Sequence, residues 1–299
     1  MTGSLASRDI SQAAHGVAAV VREAKDDQDA AALAYLAVYA CGYAGRAGDL
    51  GRYRALTRCL RDEAFVAQLF RDVPDRVEVG GWTVTGSDGP RVLISRDGIQ
   101  AFVFCHELGS PVEAGATVTF RAAALRAGSM PGFVLRRGTT AMPDRSRLSR
   151  LYLNIRPAAA AWALGPLARR LDEAAVPYEM KALANPRAYL RRDACVVYVP
   201  SDNEEQTIRI VTRAVEDSPV GPVSRSAPRL TGRVAPGVNL AHEPTDIEEG
   251  LSHGQWVARL FQDAALSTTD PVAIARRVKD LIAATGRDPS RPYLRAAGT

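Results

Sequence analysis

The sequence predicts an α+β fold: N-terminal helices, an antiparallel β region, and a mixed α/β core that ends in further helices. Three observations carry this. Apolar residues recur at three- and four-residue spacing through residues 10–75. From Arg76 the spacing falls to two. From Leu148 strand-like and helix-like segments alternate. The expected organisation is a helical region over 1–75, a β region over 76–145 and a core over 146–299 that forms one compact unit with the β region.

The first helices are "DAAALAYLAVYACGYAG", Ala-rich and closed by glycines, and "RYRALTRCLRDEAFVAQLFRDVP", stopped by Pro74. "RVEVGGWTVTG", "RVLISRDGIQAFVF", "ATVTFRAA" and "GFVLRRG" are short, β-branched and separated by Gly, Asp and Pro. "RDG" marks a hairpin, and "TTAMPDRSR" reads as a loop. "RLYLNI" is then a strand, Pro157 opens an Ala-rich helix to about Ala175, and "PYEMKALA" and "ACVVYVP" are strands. Ser201 and Glu204 have the spacing of a capping box. Two helices follow, around "GQWVARLFQDAAL" and "DPVAIARRVKDLIAATG", the second with Asp270 as cap and Pro271 at its first position. The stretch "RSAPRLTGRVAPGVNLAHEPTDIEEG" reads as a long loop.

With 46% apolar and 24% charged residues, the 299-residue chain has the balance of a globular protein that buries a core. No apolar run reaches the ~20 residues of a membrane span, and "MTGSLASRDISQAAHG" lacks the order of a secretory signal. Cys41, Cys59, Cys105 and Cys195 are scattered, which argues against a zinc site or disulfide scaffold and fits a reducing cytoplasm. The net charge of +5 suits anionic ligands, but no basic tail or aromatic-interleaved basic run points to nucleic acid. His15, His106, His242 and His253 show no metal-ligand spacing, and no phosphate-binding glycine loop follows a strand. No metal and no cofactor are expected.

Three of the 38 basic residues are lysines, so a lysine inside an apolar strand needs a reason. On "PYEMKALA" alternation puts Glu179, Lys181 and Leu183 on one face. Two readings fit Lys181: an ion pair with Glu179 on an exposed face, or an amine kept neutral by burial and neighbouring arginines, able to act as a base. The next stretch, "NPRAYLRRD", offers Arg187, Arg191 and Arg192, whose planar forks suit phosphate, with Asp193 placed to hold one of them. These too read either as a solvated loop or as an anion cradle.

The blocks "RLYLNIRP", "VPYEMKALANPRAYLRRDACVVYVP", "RVAPGVNLAHEP" and "LSHGQWVARLFQDAAL" resemble, in that order, successive blocks of the HopA-type effector family over about residues 90 to 270. The middle block is the most specific, with its strand lysine, its proline, Tyr189, Arg191 and Asp193 in Tyr-x-Arg-x-Asp, and an apolar strand ending in tyrosine. The last block departs from the family's "SFG" and basic pair: His253 stands for the aromatic, and Trp256 and Val257 stand where basic residues are common.

That family includes type III effectors of plant pathogens and stand-alone lyases of class V lanthipeptide and thioamitide pathways. The resemblance therefore implies a lyase-like core and a phosphoserine/phosphothreonine lyase. A partner kinase resembling aminoglycoside phosphotransferases would phosphorylate a ribosomal precursor peptide, and this chain would eliminate phosphate to give dehydroalanine or dehydrobutyrine. Lys181 is then the base. Arg187, Arg191, Arg192 and Arg156 hold phosphate, and Asp193, Asn154 and Tyr189 support them. His106 on "FVFCHE", Tyr152 and Asn154 are candidates for the general acid. Two other readings stand beside this one: a non-catalytic module that holds the phosphopeptide or kinase, and a host-directed effector.

Overall fold

A computed structural model describes residues 5–42, 49–96, 99–108, 113–128, 130–140, 142, 147–218, 224, 226–243 and 251–295. The N-terminal helices are α1 (Leu5–Glu23), α2 (Asp27–Ala34), α3 (Asp49–Thr57) and α4 (Glu63–Asp72), and α2 runs on through a π-helical turn at Tyr35–Ala40. Asp26 and Asp62 cap α2 and α4 by accepting from the N–H groups of Asp29 and Phe65.

The period-two region begins as expected. β1 (Arg76–Asp88), β2 (Arg91–Arg96), β3 (Ile99–Phe104) and β4 (Thr117–Ala123) form an antiparallel sheet in the order β3-β2-β1-β4. Arg96 pairs with Ile99 across the β2–β3 hairpin; Asp97 and Gly98 of "RDG" lie outside the described residues. The alternating positions Trp82, Val84, Val92, Ile94, Val103 and Val118 make the core of this sheet. His106 is not on a strand: β3 ends at Phe104, and His106 sits in an exposed turn at Cys105–Glu107 that the Glu107 carboxylate closes by accepting from the Phe104 N–H.

The second sheet contains β5 (Leu125–Ala127), β6 (Phe133–Arg137), β7 (Leu148–Leu153), β8 (Glu179–Leu183), β9 (Cys195–Pro200), β10 (Gly232–Ala235) and β11 (Val238–His242). Its order is β10-β11-β7-β9-β8-β6-β5, antiparallel throughout. "GFVLRRG", expected in the β region, is β6 of this core sheet, where it pairs with β8 and places Phe133 and Val134 in the core. The loop expected at 139–147 lies largely outside the described residues. Helices cover both faces, which is why β7 is buried at every position. One face carries α4, α5 (Ala160–Trp162), which continues through a π-helical turn at Ala163–Leu167 into α6 (Ala168–Glu173), and α7 (Glu204–Glu216). The other carries α1, α2, α8 (His253–Ala265) and α9 (Pro271–Ala284). Asp270 caps α9 through the N–H groups of Val272 and Ala273, as its sequence requires.

Two further expectations are corrected. The long loop contains the hairpin β10–β11, turned at Pro236-Gly237 with Gly237 at φ +77°, a conformation glycine adopts without strain. Ser201 and Glu204 form no capping box, because Glu204 instead accepts from Ser149 Oγ and meets His242 Nε2 at 2.9 Å. A capping box does open α8, where Ser252 and Gln255 satisfy each other's backbone N–H groups.

Just inside that cap, His253 is fully buried. Its Nε2 donates to the Leu230 carbonyl at 3.1 Å, and its Nδ1 is a buried acceptor with no partner among the described residues. Burial, opposed by the Leu230 hydrogen bond and reinforced by Arg287 and Arg150, pushes its pKa down to about 3. An unfolded histidine titrates near 6.5. Between those values the unfolded chain binds a proton that the folded chain refuses, so stability falls as pH falls. At about pH 4.5 this one residue should cost ~2–3 kcal/mol relative to pH 7. Denaturant unfolding of His253→Phe at both pH values should show a smaller acid loss than wild type by that amount; equal losses would contradict the assignment.

Candidate functional site

Strand register places the chemistry on one face of the core sheet. Leu135, Lys181, Val196 and Tyr152 are successive partners across β6, β8, β9 and β7, so their side chains point the same way. The neighbouring row on that face runs Arg137, Glu179, Tyr198, Arg150. Helices cover the Tyr152 end, where its ring packs edge-on against Tyr39. The Lys181 end is left open as a cleft of about 1190 Å3, walled by α2, the segment after α3 and the start of α8.

Lys181 is half-buried in this cleft. Its Nζ lies 4.4 Å from the centre of the Phe133 ring, 5.4 Å from that of Tyr198 and 3.8 Å from Met130 Sδ. The simple alternative, an ion pair with Glu179, does not form, because Glu179 pairs with Arg137 at 3.0 Å. No carboxylate among the described residues lies within ion-pair range of Lys181.

Arg191 enters the same cleft from the turn that follows β8. Its Nε and Nη2 donate to the two oxygens of Asp193 at 2.9 and 2.6 Å. Asp193 is buried and accepts a third hydrogen bond from Tyr35 Oη at 2.7 Å. Burial alone would raise the Asp193 pKa; the charge and hydrogen bonds of Arg191, helped by Tyr35, outweigh it and hold the carboxyl below its usual range. Arg191 is correspondingly locked in its charged form despite its own burial. Two of its five N–H donors are committed to Asp193, which leaves three for a ligand.

The other expected residues are not brought to the cleft. Arg187 and Arg156 are exposed and do not line it. Arg192 turns away: its Nη1 donates to the Ala227 carbonyl at 3.3 Å, and its guanidinium packs so close to Gly42 that a Cβ there would stand 2.6 Å from Nη1. His106 stacks on Phe104 in the four-stranded sheet, its ring centre 5.5 Å away. Tyr152 shares the face of Lys181 but lies behind Val196 and is buried under Tyr39. Asn154 donates to the carbonyl and hydroxyl of Ser226. Tyr189 packs on the opposite face against Phe65 and donates to the Leu183 carbonyl at 2.9 Å.

The cleft also holds residues that sequence reasoning missed. Arg150, mid-strand in an apolar segment like Lys181, forms a bidentate pair with Glu243 and lies 4.8 Å over the Tyr198 ring. The signal that singled out Lys181 was present there too. Tyr35, Phe133 and Met130 carried no such signal. The four cysteines are free. Among the described residues, no three His, Cys, Asp or Glu side chains converge as metal ligands, and no helix is long and apolar enough to cross a membrane.

No curated protein matches the chain. Among solved structures, an effector protein from Pseudomonas syringae pv. tomato strain DC3000 is similar at 20% identity, with 55% of this chain and 63% of that one covered and a TM-score of 0.43. An effector protein from Pseudomonas syringae pv. syringae strain 61 is similar at 19% identity, with the same coverage, 55% and 63%, and a TM-score of 0.45. The chain thus spans less than two thirds of the length of either relative. The HopA1 effector protein family model matches residues 124–294, which takes in the whole core sheet, Lys181, Arg191 and Asp193; the chain belongs to that family.

Proposed function

We propose that this cleft is the active site of a phosphoserine/phosphothreonine lyase acting on a phosphorylated ribosomal precursor peptide in lanthipeptide or thioamitide biosynthesis. The observation that carries the reading is that one cleft holds both Lys181, an amine outside ion-pair range of the carboxylates among the described residues, and Arg191, a guanidinium that Asp193 holds charged and in place. Lys181, acting as the base, takes the α-proton. The electron pair of the Cα–H bond becomes the Cα=Cβ double bond, and the Cβ–O bond breaks to release inorganic phosphate. Charge grows on the substrate carbonyl oxygen and on the departing phosphate. The fixed charge of Arg191 meets it without reorganisation.

The peptide residue left behind is dehydroalanine or dehydrobutyrine. A partner kinase must supply the phosphorylated substrate, and a reaction that consumes dehydroamino acids follows. The family's effector members favour a second reading, in which the same elimination, or phosphopeptide binding without it, is directed at a host protein. A precursor peptide and a host phosphoprotein offered in parallel separate the two.

Side-chain charge alone stabilises this transition state, so neither metal nor nucleotide is required. Phosphate release from a peptide that is already phosphorylated should run at full rate in EDTA. A chelator that stops the reaction would overturn the mechanism.

A further inference from the structure

Beyond the lining of the cleft, the sheet face that carries Lys181 holds one more cation that nothing in the proposed chemistry uses, Arg126. Arg126 on β5 is the cross-strand partner of Leu135, which is in turn the partner of Lys181. Arg126 therefore points to the same face as Lys181, two strands away, or about 10 Å. Leu135, between them, lines the cleft.

The arginines that line the cleft each have a carboxylate partner: Arg137 has Glu179, Arg191 has Asp193 and Arg150 has Glu243. Among the described residues, Arg126 has no hydrogen-bond or ion-pair partner. It is half-buried. Burial and the nearby charge of Arg137 disfavour its charged form, with Glu179 only partly compensating. An arginine left unpaired beside another arginine gains from an anion brought in from outside.

We infer that Arg126 forms a second anion subsite, which reads a carboxylate side chain on the bound peptide about three residues from the phosphorylated one. An extended chain advances roughly 3.3 Å per residue, so three residues span the interval between Lys181 and Arg126. The phosphate end of this arrangement rests on the lyase reading. The acidic subsite gives that reading a substrate class: phosphopeptides with a nearby Asp or Glu.

The test uses short synthetic phosphothreonine peptides carrying Glu or Gln at each of the neighbouring positions, with Kd read by fluorescence anisotropy and elimination by phosphate release. At one position the Glu peptide should bind wild type about tenfold more tightly than its Gln counterpart, the range of one charge-assisted hydrogen bond. In Arg126→Gln that ratio should fall to about one, and Arg126→Lys should keep part of it. A thermal melt of Arg126→Gln guards against a folding defect. The inference is overturned if no position favours Glu, if the ratio survives in Arg126→Gln, or if wild type binds none of the phosphopeptides. A ratio that depends on Arg126 without any phosphate release would sink the lyase reading and leave the subsite standing.

Discussion

Lys181→Ala should lose about 10²–10⁴-fold in elimination rate, the usual contribution of a positioned general base. Lys181→Arg should be as slow, because a guanidinium stays protonated and cannot accept the α-proton. Phosphopeptide binding should survive in Lys181→Ala, since Arg191 keeps its charge and its three uncommitted donors. The fold should survive as well. Lys181 has no ion pair among the described residues, and its contacts with Phe133 and Tyr198 are cation–π contacts worth ~0.5–1 kcal/mol. A loss of rate with binding and stability retained is the signature of a base. A wild-type rate in either variant would make Lys181 a structural residue.

Asp193→Asn should have the larger effect on stability. The carboxylate is buried and accepts from Arg191 twice and from Tyr35 once. Removing its charge leaves a buried guanidinium without a counter-ion, which costs ~3–5 kcal/mol. The cost belongs to the unpaired charge rather than to the pair itself. Arg191→Met combined with Asp193→Ala should therefore recover much of the loss while remaining unable to hold phosphate. Urea unfolding of the two variants and wild type checks this. A double variant no more stable than Asp193→Asn would mean that Asp193 supports the fold through some other contact.

The legible parts of the site were those written within a few residues of one another. Lys181, Arg191 and Asp193 lie on one strand and the turn after it, so alternation and spacing were enough to bring them together. Arg187 and Arg192 had the same composition but not the same direction: the turn at Pro186–Leu190 leaves Arg187 exposed, and Arg192 packs on Gly42. Partners distant in sequence could not be read. Tyr35 reaches Asp193 across 158 positions, and Glu243 reaches Arg150 across 93.

The same reason explains the fold's two surprises. The hairpin at Pro236-Gly237 is settled by its pairing with β7, and Glu204 leaves the helix cap because Ser149 and His242 offer it better partners. Local patterns located the strands of the β region, since each needed only its own periodicity, but the stretch 52–74 holds two helices, α3 and α4, because Asp62 starts a new cap inside it. The boundary near Phe133 was lost because β6 reads like the strands before it and differs only in the sheet it joins.

The most direct test of the account is mass spectrometry of a phosphothreonine- or phosphoserine-containing precursor peptide incubated with the wild-type protein in EDTA. Phosphoric acid should be lost at the modified residue, leaving dehydrobutyrine or dehydroalanine. A peptide recovered intact, or returned as the unmodified Ser or Thr by hydrolysis, would contradict it.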